Sequence, residues 1–382
     1  MALEPAALGG VAGIVELLQD NPLDQRSADI RFFDSEGLQI DKRAERKLEN
    51  LLFREDFRRA GFYEMGDIEY GEPIAGYIEH VFKSVDADVI RNAGFRVLID
   101  YDYSDASAVL PTILNELGIT TIPLNAGMRE GEHHRTVPDE TALISKTVRA
   151  DVGCMINPTG ERITVIDDNG VVLTPHECLA LLATWWVRSN PGTVLAPAAT
   201  PMWISDLVRK EGGTFSSTPG DPASVLRAST MSGTSIASDG EGGFAWPGHL
   251  GAFDAMYTLV KLLELRARIG IPLSQARAEL PRVAYITATE FCPWEAKGRV
   301  MRILLDRHRT DSVDLVDGIK VYVDDGFVLV RPDPDEPSYH VVASVTDPER
   351  GRQLVDEYLE QVREAEGTNG VHASVEVAAG AE

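Results

Sequence analysis

The 382-residue sequence reads as an α/β protein, with successive three-layer α/β domains followed by a small α+β domain. Three observations carry this reading. Short apolar runs such as Phe95-Arg96-Val97-Leu98-Ile99 have the length and composition of buried parallel strands. Between such runs lie stretches of helical period: in 104–117, Leu110, Ile113, Leu114 and Leu117 share a face, and Gly118 stops the helix. Near the end the pattern changes, and 318–323, Asp324-Asp325-Gly326 and 327–331 read as a hairpin with an Asp-Gly turn.

Taken in order, 30–40 (IRFFDSEGLQI) predicts a strand, a turn at 34–37 and entry into a helix over 41–57 with Leu48, Leu51 and Leu52 on one face. The stretch before Ile30 is too short for several βα units, so 1–90 reads as a truncated first domain. A βαβ unit spans 95–124. Residues 151–170 then read strand, loop, strand, turn: Val152, Cys154 and Ile156, the break Asn157-Pro158-Thr159-Gly160, 163–166, and Asp168-Asn169-Gly170. Thr174-Pro175-His176-Glu177 is a capping box opening a helix that buries Leu181, Leu182 and Trp185, which completes a second domain over 91–190.

Asn190-Pro191-Gly192 marks the next boundary. A third domain over 191–310 combines a strand at 193–196, a helix at 205–210, a Gly/Ser-rich loop at 232–243 and an apolar-faced helix at 250–268. More helix at 272–280 and 293–309 closes it. The fourth domain, 311–366, adds to the hairpin a strand at 338–345 and a helix at 347–364. Residues 367–382 have little to bury and are expected to be disordered.

Composition excludes several functions. A net charge of -24 opposes the positive field that nucleic-acid or anionic-membrane partners require. No run approaches the roughly 18 apolar residues of a membrane span, and the apolar opening 2–18 carries Glu4 and Glu16 without a basic start, unlike a signal peptide. A cytoplasmic location follows by default. Cys154, Cys178 and Cys292 lack CxxC spacing and read as packing thiols. His133-His134 find no third ligand in register, and His176-Glu177 fails as a zinc motif because position 180 is Ala.

Four segments carry a resemblance. Leu18-Gln19-Asp20-Asn21-Pro22, Asn157-Pro158-Thr159-Gly160-Glu161-Arg162, Gly240-Glu241-Gly242-Gly243-Phe244 and Arg331-Pro332-Asp333-Pro334-Asp335-Glu336-Pro337 stand where the α-D-phosphohexomutases, the family of phosphomannomutase and phosphoglucomutase, carry T-A-S-H-N-P, D-G-D-G-D-R, G-E-x-S-G-H and R-P-S-G-T-E-P. The chain resembles that family over 21–364. The resemblance implies four domains around a cleft and an intramolecular phosphotransfer that uses a phosphoserine, Mg²⁺ and a phosphate-binding loop.

Against that pattern the loops are degenerate. Gln19 takes the serine position, and an amide cannot carry a transferable phosphoryl group. Asn157, Thr159 and Glu161 take the places of three Mg²⁺ aspartates, leaving one carboxylate for a cation that prefers hard anionic oxygens. Arg162 is retained. Gly240-Glu241-Gly242-Gly243-Phe244 keeps the Gly-Glu start of the sugar loop but not its Ser-Gly-His end. Arg331 remains as the phosphate arginine, beside two new aspartates and a proline without an N–H.

The expectation is a mutase-like protein with no intact catalytic residue, Gln19 and Arg162 being vestigial. No cofactor is expected, although active members use Mg²⁺, and Glu241, Gly243 and Arg331 are the residual substrate-binding positions. The chain further resembles the degenerate mutase-like C-terminal half of bacterial mannose-1-phosphate guanylyltransferase fusions. That implies a sugar-1-phosphate nucleotidyltransferase domain or chain as partner and hexose phosphate as ligand. An active hexose-phosphate mutase with altered loops, and a sugar-phosphate binding module, are the competing readings.

Overall fold

The structure, a computed structural model, describes residues 14–18, 29–55, 61, 63, 71, 73–127, 137–367 and 373–377. The first part of the chain forms β1 (Ile14–Leu18), β2 (Asp29–Phe33), α1 (Lys42–Phe53), α2 (Pro73–Ser84), α3 (Ala87–Ala93), β3 (Arg96–Asp100), α4 (Ala106–Glu116), β4 (Thr120–Leu124), α5 (Pro138–Thr147), β5 (Val152–Ile156) and β6 (Ile163–Ile166). There follow α6 (Pro175–Val187), β7 (Thr193–Pro197), α7 (Met202–Lys210), β8 (Thr214–Thr218), α8 (Pro222–Ser229), β9 (Thr234–Ser238), β10 (Phe244–Trp246), β11 (Leu250–Phe253), α9 (Ala255–Ile269) and α10 (Leu273–Ala278). The last part comprises β12 (Ala284–Phe291), α11 (Trp294–Arg307), β13 (Val313–Asp314), β14 (Ile319–Val323), β15 (Gly326–Pro332), β16 (Ser338–Val345), α12 (Pro348–Glu366) and β17 (Ala373–Val377). These elements condense into two compact units, one from 1–173 and 221–276, the other from 174–220 and 277–382.

The first unit is built on the sheet β4-β3-β5-β6. β3 runs parallel to both β4 (Leu98↔Ile122) and β5 (Leu98↔Gly153), and β6 returns antiparallel (Cys154↔Val165). Every residue of β5 is buried, which is why the sequence there is an unbroken apolar and small run. A Cβ at Gly153 would stand 2.6 Å from Ser145 Oγ, so only glycine lets α5 lie this close to the sheet. Gly118 closes the helical stretch at φ +68°, as the sequence expects. In the 221–276 part, β9, β10 and β11 pair antiparallel, and α9 starts at the Asp254 cap, whose carboxylate accepts from Tyr257 N at 2.9 Å.

The N-terminal part of this unit is thinner. β1 and β2 form a two-stranded antiparallel sheet, a size that is marginal on its own. α1 is capped by Asp41, which accepts from Ala44 N at 2.8 Å, yet no residue of the helix is buried and Leu52 and Phe53 are 65% and 83% exposed. A 12-residue helix held by so little packing opens easily. Amide exchange is therefore expected to be at least about 100-fold faster across α1 than across β3 and α4, in line with local opening free energies that range down to zero; equal protection would overturn this.

In the second unit, the Thr174 capping box is present in both directions, with Glu177 N to Thr174 Oγ1 at 3.2 Å and Thr174 N to Glu177 Oε2 at 2.8 Å. β7 and β8 are parallel (Leu195↔Ser216). The larger sheet, β13-β14-β15-β16-β12-β17, is antiparallel throughout. Its core sets Ile286, Val328, Val330, Val341 and Ala343 against Val300 and Leu304 of α11 and Leu354, Val355 and Leu359 of α12. Two segments depart from the sequence reading. β12 lies inside this sheet, where only helices had been expected around it. β17 is a strand paired with β12 (Thr287↔Glu376) within the tail expected to be disordered. The correction has a local cause: the ASVEV pattern has a strand's period of two, and the edge of β12 offers unpaired backbone groups that need no core to be satisfied.

Candidate functional site

The loop between β5 and β6 is organised by Asn157. Its Oδ1 accepts from the N–H groups of Glu161 (2.9 Å) and Arg162 (2.8 Å), and its Nδ2 donates to Thr159 Oγ1 at 2.7 Å. Thr159 Oγ1 donates in turn to Glu161 Oε2 at 2.9 Å, and Glu161 Oε1 is paired with Arg31 of β2. Gly160 turns the chain at φ +73°. The polar groups of this loop thus satisfy one another and Arg31.

Arg162 leaves the loop in the other direction. Its Nε donates to Asp239 Oδ2 at 2.7 Å and its Nη2 lies 3.0 Å from Glu241 Oε2. Asp239, with a side chain 2% exposed, also accepts from Glu241 N and Gly243 N, both at 2.8 Å. Burial works against the Arg162 charge, but Asp239, Glu241 and Glu161 more than offset it and hold the guanidinium above its ordinary pKa. Backbone contacts fix the same juxtaposition: Ile163 N donates to Gly242 O at 3.0 Å, and at Gly242 (φ +98°) a Cβ would stand 2.6 Å from Ile163 O.

Beside this ion-pair network opens a cleft of about 540 Å³, lined by Asp102, Val137, Pro138, Met155, Ile156, Asn157, Arg162, Thr164 and Glu241. One edge is strained. Asp102, Tyr103 and Asn125, at the carboxyl ends of β3 and β4, have φ of 43°, 61° and 48°, a region costing non-glycine residues about 1–3 kcal/mol each. Buried Asp100 anchors that edge, accepting from Thr141 Oγ1 (2.9 Å), Asn125 Nδ2 (2.9 Å) and Asp102 N (3.0 Å).

The loop after β15 lies in the second unit. Arg331 Nη1 is 3.3 Å from Asp317 Oδ2, which also accepts from Gly220 N at 3.1 Å. Asp333 turns back on its own loop: Oδ1 accepts from Asp335 N (2.8 Å) and Glu336 N (2.7 Å), and Oδ2 is 2.6 Å from His340 Nε2. Burial tends to raise the Asp333 pKa, but His340 and the two N–H groups outweigh it and hold the carboxyl below its ordinary range. Lys297 Nζ donates to the carbonyls of Asp333, at 2.6 Å, and Glu336; burial lowers its pKa while neighbouring carboxylates oppose the fall.

Residues 75–170 match the family model described as phosphoglucomutase/phosphomannomutase, alpha/beta/alpha domain II. A probable phosphoglucosamine mutase of Methanopyrus kandleri is 29% identical over 92% of this chain and 79% of its own length. A phosphoglucomutase/phosphomannomutase of Thermococcus kodakarensis is 27% identical with the same coverage, 92% and 79%. In fold, a phosphoglucomutase/phosphomannomutase family protein of Burkholderia thailandensis superposes with a TM-score of 0.79 at 18% identity, over 96% of this chain and 80% of that one. The chain is thus similar in sequence to phosphoglucomutase/phosphomannomutase relatives over most of its length, with the family model itself matching only 75–170. The mixed α/β architecture matches the multidomain phosphohexomutase fold.

Within that phosphohexomutase frame, the structure brings Asn157, Thr159, Glu161, Arg162, Glu241 and Gly243 together in the first unit, and places Arg331 in the second. Gln19 and the His133-His134 pair lie outside the described residues. His176 packs edge-on against Tyr285 at 4.4 Å, and burial pushes its pKa down to about 4, as for a core imidazole. Among the described residues no three His, Cys, Asp or Glu side chains are grouped to hold a metal ion, and no helix is long and apolar enough to cross a membrane. Asp239, Asp100, Asp102 and Asn125 escaped the reading by motif. The available signal was positional: Asp100 and Asn125 each end or follow a short apolar strand, where α/β proteins place functional side chains.

Proposed function

We propose that this chain is a phosphohexomutase-like protein of sugar-phosphate and nucleotide-sugar metabolism that does not turn over hexose phosphates, and that it serves as a regulatory or structural module of a sugar-1-phosphate nucleotidyltransferase. The observation that carries the reading is the self-engagement of two loops. A Mg²⁺ ion needs hard anionic oxygens in near-octahedral array. The 157–162 loop offers one carboxylate, Glu161, with one oxygen on Arg31 and the other on Thr159. These residues do not fit the ion. In the 331–337 loop the N–H groups of Asp335 and Glu336 already hold the Asp333 carboxylate, a geometry in which an incoming phosphate meets an anion where it needs donors. Gln19 removes the phosphoryl carrier. What persists is a shaped cleft with Glu241 and Arg162 on its wall, suited to binding a sugar without transferring phosphate.

The second reading, an active mutase with altered loops, draws on relatives whose names carry mutase activity and which match 92% of the chain. One assay separates the two: conversion of mannose-1-phosphate, glucose-1-phosphate and glucosamine-1-phosphate with Mg²⁺ and the matching bisphosphate activator. No product above the enzyme-free blank is expected. Turnover within the usual enzyme range of about 1–10³ s⁻¹ would sink the inactive reading.

A further inference from the structure

One imidazole inside the first unit has a ring nitrogen that bonds to nothing. His249, in the turn between β10 and β11, has a side chain only 3% exposed. Its ring lies flat on that of Tyr257, with centroids 3.7 Å and planes 4° apart. Nε2 is 3.1 Å from Asp254 Oδ2, and the same carboxylate accepts from the Tyr77 hydroxyl at 2.8 Å and from Tyr257 N at 2.9 Å. A carboxylate can only accept, so Nε2 carries the proton and Nδ1 keeps its lone pair. Among the described residues Nδ1 has no hydrogen-bond partner. A buried acceptor in this state has given up its bonds to water and gained none in return.

A second imidazole stands beside it. His80, on α2, is exposed, and its ring centroid is 4.9 Å from that of His249, with the planes tilted by 46°. Two imidazoles that each place a nitrogen about 2.0–2.1 Å from one tetrahedral ion have centroids about 5 Å apart. The contact with Asp254 is also one that metal-bound histidines make: the nitrogen away from the ion donates to a carboxylate, which fixes the tautomer and raises the basicity of the other nitrogen. We propose that His80 and His249 Nδ1 form an open two-histidine site for a divalent transition ion that prefers imidazole, such as Zn²⁺, with Asp254 as the orienting carboxylate and water in the remaining positions. Exposure lets the His80 ring turn a nitrogen toward the ion. A hard ion such as Mg²⁺ does not suit the pair, because it takes oxygen ligands and Asp254 faces the other nitrogen. The same cap connects the pair to the candidate site. Asp254 starts α9, and the next residue, Ala255, donates its N–H to Gly160 O at 3.0 Å, so the pair shares a support with the turn that carries Asn157 and Arg162. The inference does not rest on whether the chain turns over sugar phosphates.

The test titrates Zn²⁺ into the full chain, stripped of metals with a chelator, and follows binding by isothermal calorimetry with Mg²⁺ as the control ion. One equivalent of Zn²⁺ is expected to bind, and Mg²⁺ to give no heat. His80→Ala removes one of two protein ligands and should weaken the site by about 10-fold or more. Asp254→Asn keeps a helix-capping side chain and should cost about 10–100-fold, the usual effect of losing an orienting carboxylate. His133→Ala/His134→Ala, which removes the adjacent histidines of the sequence, should leave the affinity unchanged. The absence of Zn²⁺ binding by the parent chain would overturn the proposal. So would full affinity in His80→Ala or in Asp254→Asn, or loss of the site in His133→Ala/His134→Ala. Circular dichroism verifies the fold of each variant, and because His80 is exposed its variant decides the matter even where Asp254→Asn perturbs the fold.

Discussion

Replacing Arg162 by alanine is expected to destabilise the first unit by about 3 kcal/mol, the lower end of what removing one partner of a buried ion pair costs. The cost arises at Asp239. Its side chain is 2% exposed and holds two backbone N–H groups, so it cannot swing into water to recover solvation when the guanidinium is gone. Arg162 itself is 40% exposed, which places the estimate at the lower end, and its contact with the 65% exposed Glu241 adds little. Urea unfolding followed by tryptophan fluorescence and circular dichroism measures the loss. The double variant Arg162→Met/Asp239→Asn should recover most of it, because the amide still accepts from the two N–H groups and no unpaired charge remains. A loss below about 0.5 kcal/mol for Arg162→Ala, the range of an ordinary surface substitution, would show that the pair does not lock the two loops.

The same residues show how far the sequence could be read. Elements set by local rules were legible: the Thr174 capping box, the Gly118 stop, the strand-loop-strand of 152–166 and the 319–332 hairpin all depend on residues within a few positions of one another. The candidate site was legible in part. Arg162 and Glu241 were found because they sit in motif frames, and the structure joins them. Asp239 was not, because its partner lies 77 residues away and nothing local distinguishes it from the rest of a Gly/Ser-rich loop. β12 was missed for a related reason. Its alternation Ile286, Ala288, Glu290 is that of a strand, but the helical stretches on both sides dominate the local pattern, and only the pairing with β16 settles the register. Arg331 was found through the same motif frame, whereas its contact with Asp317, 3.3 Å away, joins residues 14 positions apart that no local pattern links.

Asp333→Ala is expected to cost about 2 kcal/mol and to create a phosphate response that the parent chain lacks. The carboxylate accepts two backbone N–H bonds and one from His340, and bonds to a charged acceptor contribute about 1.5–3 kcal/mol each before solvent competes for the released groups. The pH dependence follows from the direction of its pKa. A carboxyl held below its ordinary value of 3.8 contributes stability that is present above that value and is lost as pH falls through the lower, folded-state value. The parent chain should therefore lose this contribution only below pH 3.8, and the variant should lack it at neutral pH. Removing the carboxylate leaves the N–H groups of Asp335 and Glu336 beside His340 as an open anion site. If the loop is a phosphate cradle filled by its own side chain, inorganic phosphate at about 100 times its dissociation constant should return roughly 2.7 kcal/mol to the variant, and millimolar phosphate should leave the parent unchanged. Thermal unfolding with phosphate, against chloride at equal ionic strength, separates this from general salt effects. A variant as stable as the parent, or equally indifferent to phosphate, would mean that Asp333 merely decorates the loop, and the case for a self-occupied phosphate site would then rest on the Pro334 backbone alone.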